Sequence, residues 1–239
     1  MKLLIIRHAD PDYSIDSLTE KGHREAALLA ERMAKMKIDA FYVSPLGRAR
    51  DTAGYTLRKM GREATVCDWL REFPAQVNKP NEAQDCAWDW MPRDFTAYPG
   101  FFDRDAWMHH PVMEAGNVPE LYANVCAGLD ALLEHHGYKR EGGYYRALRA
   151  NRDTVALFCH FGLECVLLSH LLNVSPMILW QGFCAAPSSV TTLYTEEREE
   201  GIAYFRTAAF GDTSHLYAAG EEPAFSARFC ETFDSDERH

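Results

Sequence analysis

Apolar positions are concentrated at the very start of the chain. Leu3-Leu4-Ile5-Ile6 is an unbroken run that stops abruptly at Arg7-His8. A short run without polar alternation predicts a strand covered on both faces, the pattern of a parallel sheet. Thr19 sits where a helix N-cap is expected, with Leu18 before it, and Ala26, Leu29, Ala30 and Met33 follow at helical spacing. A second strand is expected over Asp39 to Ser44, a helix from about Arg48 to Met60, and a short third strand over Thr65 to Asp68. Val118 to His136 reads as a long helix with Leu121, Val125, Leu129, Leu132 and Leu133 on one face. Thr154 to Cys159 repeats the opening motif, an apolar strand ending at His160-Phe161-Gly162, with a helix from about Leu163 to Leu172. Ser189 to Tyr194 and Ala203 to Thr207 read as two strands near a sheet edge, and Tyr144 to Leu148 as a strand or a helix. The early alternation of strand and helix predicts a three-layer α/β/α sandwich on a mostly parallel central sheet.

One stretch breaks the rhythm. From about Pro74 to Pro119 no sustained period of either kind is present, and Trp88, Trp90, Phe95, Tyr98, Phe101, Phe102 and Trp107 crowd together. Long irregular segments in compact folds are usually binding loops or lids. The chain is therefore expected to form a single domain over residues 1–239 with an aromatic-rich insertion at about 74–118, either a substrate-facing lid or a small element with an aromatic core of its own.

Composition narrows the classes. The chain has 239 residues, 47% hydrophobic and 25% charged, as in ordinary globular proteins. Its 35 acidic and 25 basic residues give a formal net charge of -10. That argues against nucleic acid or an anionic membrane as partner, and requires any anion site to be a local cationic pocket. The seven cysteines are odd in number and never spaced as C-x-x-C, so neither a disulfide framework nor a zinc ribbon is expected. No apolar stretch reaches membrane-spanning length and no leader-type cleavage site follows the first strand, so a cytoplasmic location is expected.

Three strand ends carry chemistry: Arg7-His8, Ser44 with Arg48 after it, and His160. In a parallel sheet they share one edge, so His8 and His160 can meet although far apart in sequence. A guanidinium beside an imidazole suits a phosphate, which the first holds and the second attacks. Arg48 in the first turn of a helix opposes the helix dipole unless an anion lies between, which favours an anion site over a surface ion pair. Asp10, Asp12 and Asp16 read as solvated turn residues. The pairs His109-His110 and His135-His136 read as surface residues, since neighbours on a helix do not share a face.

Leu4-Ile5-Ile6-Arg7-His8-Ala9, Leu18-Thr19-x-x-Gly22-x-x-x-Ala26, Ser44-x-Leu46-x-Arg48-Ala49-x-x-Thr52-Ala53, Cys159-His160-Phe161-Gly162 and Asp212-Thr213-Ser214-His215-Leu216 together resemble the ordered motifs of the histidine phosphatase superfamily, which includes phosphoglycerate mutases. The resemblance implies the sandwich fold and a phosphohistidine mechanism. Carried over by position, it makes His8 the nucleophile, has Arg7 and Arg48 grip the phosphate, and gives His160 the stabilising role. Glu72, soon after the third strand, is implied as general acid, with Glu82 and Asp85 in reserve. The chain departs from many relatives after Glu72, reading Phe73-Pro74-Ala75-Gln76-Val77, and in the short loop between His8 and Leu18. The expected activity is hydrolysis of a small phosphomonoester by a metal-independent enzyme without cofactor. The alternatives are a mutase-like isomerase and a phosphate-ligand binding protein with little turnover.

Overall fold

The computed structural model describes residues 1–80, 82–226 and 228–238. The first half runs β1 (Lys2–Arg7), β2 (Pro11–Asp12), β3 (Ser17–Leu18), α1 (Glu20–Met33), β4 (Ala40–Val43), α2 (Gly47–Met60), β5 (Thr65–Val66), β6 (Gln76–Lys79), β7 (Glu82–Cys86), α3 (Pro92–Thr96) and α4 (Pro111–Ala115). The second half continues with α5 (Val118–His135), β8 (Tyr138–Glu141), β9 (Tyr144–Ala147), β10 (Thr154–Cys159), α6 (Phe161–Leu172), α7 (Pro176–Gly182), β11 (Val190–Glu199), β12 (Ile202–Asp212) and α8 (Ser214–Tyr217).

Eight of these strands form one sheet in the order β5-β4-β10-β1-β11-β12-β9-β8. The four strands from β5 to β1 are parallel, as expected. From β1 outward the pairing turns antiparallel, through β11, β12, β9 and β8. The sheet is thus mixed, with its parallel half holding the strand ends singled out above. The antiparallel half comes from short connections: β8 to β9 and β11 to β12 are hairpins, turned at Gly142 and Gly201 with positive φ.

The opening apolar run needs both faces covered because alternate side chains enter different cores. Leu3 and Ile5 join Val155 and Leu157 in a large cluster with Leu129, Leu133 and Val166 of α5 and α6. Leu4 and Ile6 join Ala156 and Phe158 in a second cluster with Leu29 and Met33 of α1 and Ala49 and Ala53 of α2. This two-sided burial is the α/β/α sandwich. Thr19 caps α1 by accepting from the Gly22 amide at 3.0 Å. α6 is buried on nearly every side between the sheet, α5 and α7, and so lacks an amphipathic pattern.

The irregular stretch contains the β6–β7 hairpin and short helices. Its aromatics do not make a separate core. Trp90, Phe101 and Trp107 are buried in the same cluster as Leu3, Ile5 and Leu129, with Trp107 packed edge-on against Trp180 of α7 at 5.6 Å. Among the described residues no helix is long and apolar enough to cross a membrane.

Ile5 is fully buried between the two central strands and α6. Ile5→Ala is expected to destabilise the fold by about 2–5 kcal/mol, read as a lower denaturant midpoint with an unchanged slope.

Candidate active site

Register decides where the two histidines go. In the β1–β10 ladder Arg7 lies opposite Cys159, and the His8 amide donates to the Cys159 carbonyl at 3.0 Å. Both strands end at that level, so His8 and His160 leave the sheet side by side. Their rings lie 5.1 Å apart between centroids, tilted by 56°. β4 ends at the same level, with the Ser44 amide donating to the Phe158 carbonyl at 2.9 Å.

Hydrogen bonds set the proton on each ring. His8 Nδ1 lies 2.8 Å from the Ala9 carbonyl, which can only accept, so Nδ1 carries the hydrogen and Nε2 keeps a lone pair. His160 Nε2 lies 2.8 Å from Ser44 Oγ. That oxygen accepts from the Leu46 amide at 3.2 Å and carries one hydroxyl hydrogen that can be donated to the ring. With that donation the hydrogen of His160 sits on Nδ1, which is buried and has no hydrogen-bond partner among the described residues. One ring offers a lone pair and its neighbour offers a donor. Burial and then Arg7, with Arg48 adding, push the His8 pKa well below its usual value, against an opposing pull from the Ala9 bond. Burial, His8 and the two arginines do the same to His160. Both rings are neutral at physiological pH.

The arginines are anchored and still carry unused donors. Arg7 Nη1 donates to the carbonyls of Ala185 and Ser226, each at 2.6 Å, while its buried Nε has no partner. Ser226 belongs to the C-terminal segment, which crosses here and is also tied by Ser226 Oγ to Asp10 Oδ1 at 3.2 Å. The anion expected beside Arg48 is in part the protein's own. Asp16 accepts from Arg48 Nη1 at 2.6 Å and from the Gly47 amide at 2.7 Å. Asp16 is therefore not a solvated turn residue; its carboxylate caps α2 and steers the guanidinium. Gly47 allows this approach, since a Cβ there would lie 2.1 Å from the Asp16 carbonyl oxygen. Arg48 Nε remains buried without a partner. Three buried donors, on Arg7, Arg48 and, in that tautomer, His160, thus lack acceptors among the described residues of this cluster, as a tetrahedral oxyanion would require.

Glu72 lies at the same place, and its carboxylate caps α6. Oε1 accepts from the Leu163 amide at 2.9 Å and from Phe73 at 2.9 Å, and Oε2 from Gly162 at 3.4 Å. His160, the N-cap residue, makes no side-chain cap of its own. Glycine at 162 leaves room for both neighbours, because a Cβ would meet Glu72 Oε1 at 2.8 Å and Trp88 at 2.7 Å and one of those side chains would have to shift. Burial raises the Glu72 pKa, outweighing the amides and the two arginines. Glu82 and Asp85 are held elsewhere, on the β6–β7 hairpin around Lys79.

Several supporting residues were not assigned roles from sequence. Ser44 Oγ lies 2.8 Å from His160 Nε2 and holds that ring in place. Thr52 Oγ1 accepts from the Ala9 amide at 2.9 Å and donates to the Arg48 carbonyl at 2.8 Å, joining the segments that carry His8 and Arg48. The late motif places His215 Nε2 3.1 Å from Ser188 Oγ, and the Ser188 amide donates to the His8 carbonyl at 3.0 Å. Thr52 and His215 stood inside recognised motifs, which was their only signal. The paired histidines also divide. His109 and His135 are exposed, whereas His136 is buried against Tyr42 Oη at 2.9 Å and His110 packs among Trp90, Tyr98 and Phe101.

A family model, the histidine phosphatase superfamily (branch 1), matches residues 3–207. The chain belongs to this family. It is 26% identical over 236 residues to a probable phosphatase of Schizosaccharomyces pombe, spanning 90% of this chain and 95% of that one. A putative phosphoserine phosphatase of Hydrogenobacter thermophilus is 36% identical over 81 residues, covering 30% of this chain and 40% of that one. In fold the chain is similar to Entamoeba histolytica phosphoserine phosphatase, with a TM-score of 0.59 at 19% identity over 90% of this chain and 98% of that one. A mycobacterial glucosyl-3-phosphoglycerate phosphatase has a TM-score of 0.56 at 20% identity over 89% and 99% of the respective chains. The large central sheet flanked by helices is the architecture shared with these neighbours.

Glu164 stands in the first turn of α6. It is buried beside this site, and neither carboxyl oxygen makes a hydrogen bond of sound geometry. Burial raises its pKa to about 7. A carboxyl whose folded pKa exceeds the unfolded 4.5 costs stability as pH rises from about 4.5 through 7. Glu164→Gln is expected to match the parent chain near pH 4.5 and to be the more stable above pH 7, measured as denaturant midpoints across that range.

Proposed function

We propose that this chain is a phosphomonoesterase working through a phosphohistidine on His8. The observation that carries the reading is the pairing of a neutral His8, whose Nδ1 proton is held by the Ala9 carbonyl at 2.8 Å, with three buried, unpartnered donors around it. The phosphatase names among its relatives support the same class.

Arg7 Nε, Arg48 Nε and His160 Nδ1 bind the phosphoryl oxygens. His8 Nε2 attacks phosphorus and the ester P–O bond breaks. Glu72, its pKa raised by burial, gives its proton to the departing alkoxide. The resulting carboxylate takes a proton from water, whose oxygen attacks phosphorus and breaks the N–P bond, returning free His8 and inorganic phosphate. Little covalent work is asked of the protein beyond the attack. The barrier falls through positioning and through charge placed where the transition state needs it. Keeping His8 neutral is the share of the two arginines and of burial.

His8→Ala is expected to abolish phosphate release from phosphomonoesters and to prevent the acid-labile phosphoenzyme that rapid quench should trap in the parent chain. Interconversion of phosphoglycerates without phosphate release would overturn the reading in favour of a mutase.

Glu72→Gln is expected to slow hydrolysis of alkyl esters by roughly 100-fold or more, and of nitrophenyl phosphate much less, because a good leaving group needs no proton. A general acid works in its protonated form, so the parent activity on alkyl esters should fall as pH rises through the Glu72 pKa. The Gln variant should lose that alkaline limb, as a pH series of kcat would register.

A further inference from the structure

Beside the histidine pair runs a groove of about 940 Å³, the side chains of which no step of the chemistry uses. Its inner wall is Phe161, which follows His160 and lies 5.8 Å from the Arg7 guanidinium. Cys184 also lines it, next to the Ala185 whose carbonyl holds Arg7. Phe161 and Cys184 thus join this groove to the Arg7 end of the site.

The groove is apolar where it is most open. Phe183 is 45% exposed and Phe229 71% exposed, with Met91 and Phe233 also exposed, and all four line it. Large exposed aromatics gathered in one cleft mark a binding surface rather than a core. Its charge is acidic. Glu82, Asp85, Asp89 and Glu231 line it, against Arg228 as the lining cation. Arg228 is bridged to Glu231. Lys79 lies behind the wall, only 4% exposed, bridged to Glu82 and Asp85 and donating to the carbonyls of Trp88 and Asp89. Four carboxylates thus face two cations, both already engaged. The Asp89 carboxylate accepts from the Cys86 thiol at 4.0 Å, its one side-chain partner among the described residues. Aromatic faces with carboxylates at their rim attract an organic cation and repel a carboxylate.

We propose that the groove selects phosphomonoesters whose alcohol carries an aromatic or extended apolar body together with a positive charge, and disfavours those carrying a carboxylate. This selection rests on the phosphatase reading given above. It is a property of the insertion and the C-terminal segment, separate from the phosphate-binding residues.

A matched set of aryl esters tests it: O-phosphotyramine, phenyl phosphate and the phosphate ester of 4-hydroxyphenylacetate, which share a phenolic leaving group and differ in distal charge. The expected order of kcat/KM is amine, then neutral, then carboxylate, with roughly threefold to tenfold at each step at low salt, shrinking as salt is added. Asp89→Asn should pull the amine-to-carboxylate ratio towards one. Equal or better turnover of the carboxylate ester overturns the proposal, as does a ratio that Asp89→Asn leaves unchanged. Nitrophenyl phosphate serves as the control for the underlying chemistry. Its hydrolysis without discrimination among the three esters sinks the groove alone, whereas failure to hydrolyse any ester sinks the phosphatase reading and the proposal with it.

Discussion

The site depends on one constraint, the parallel register of β1 and β10. Because Arg7 pairs with Cys159 and both strands stop there, two imidazoles separated by 152 positions of sequence leave the sheet within 5.1 Å of each other. A slip of one residue would send every side chain of β1 to the opposite core and carry His8 away from His160. The two-sided apolar burial of Leu3 to Ile6 holds that register, so packing energy in the interior is what fixes distances at the surface.

The same crowding makes the site electrostatically tense. Two guanidinium groups and two histidines share a buried corner, and its carboxyl groups are also desolvated. The outcome is a reciprocal arrangement: neutral imidazoles beside cations, and raised carboxyls on Glu72 and Glu164. Partial relief comes from groups of the chain itself, namely Asp16 on Arg48 and the carbonyls of Ala185 and Ser226 on Arg7. Each arginine is thereby pinned by one nitrogen and keeps its Nε for something else. This is preorganisation in structural terms: orientation is settled before any ligand arrives.

Around this fixed centre the chain places segments of irregular structure. The hairpin and short helices after Glu72 anchor their large aromatics in the main core and leave Met91 and Phe95 to the groove, while the C-terminal segment adds Phe229 and Phe233 opposite them. On the proposed reading, a phosphate grip and a separately built side cleft would divide the labour between chemistry and selection.

Much of this was legible in the residues alone. Apolar runs ending in Arg7-His8 and at His160 carry the strand ends directly, because a run that short, rich in branched residues and cut off by a charge or an imidazole, fits a strand covered on both faces. Arg7, His8, Arg48 and His160 were identifiable for the same reason: each follows a strand or opens a helix. Tertiary structure alone decided what depends on groups remote in sequence. The antiparallel half of the sheet, the capping of α6 by Glu72, the carboxylate of Asp16 against Arg48 and the burial of His136 are contacts between segments whose local patterns carry no mutual signal. Local sequence determines which face of an element is apolar, whereas a hydrogen bond across 90 residues exists only once the chain has closed on itself, as it does between Glu72 and Gly162.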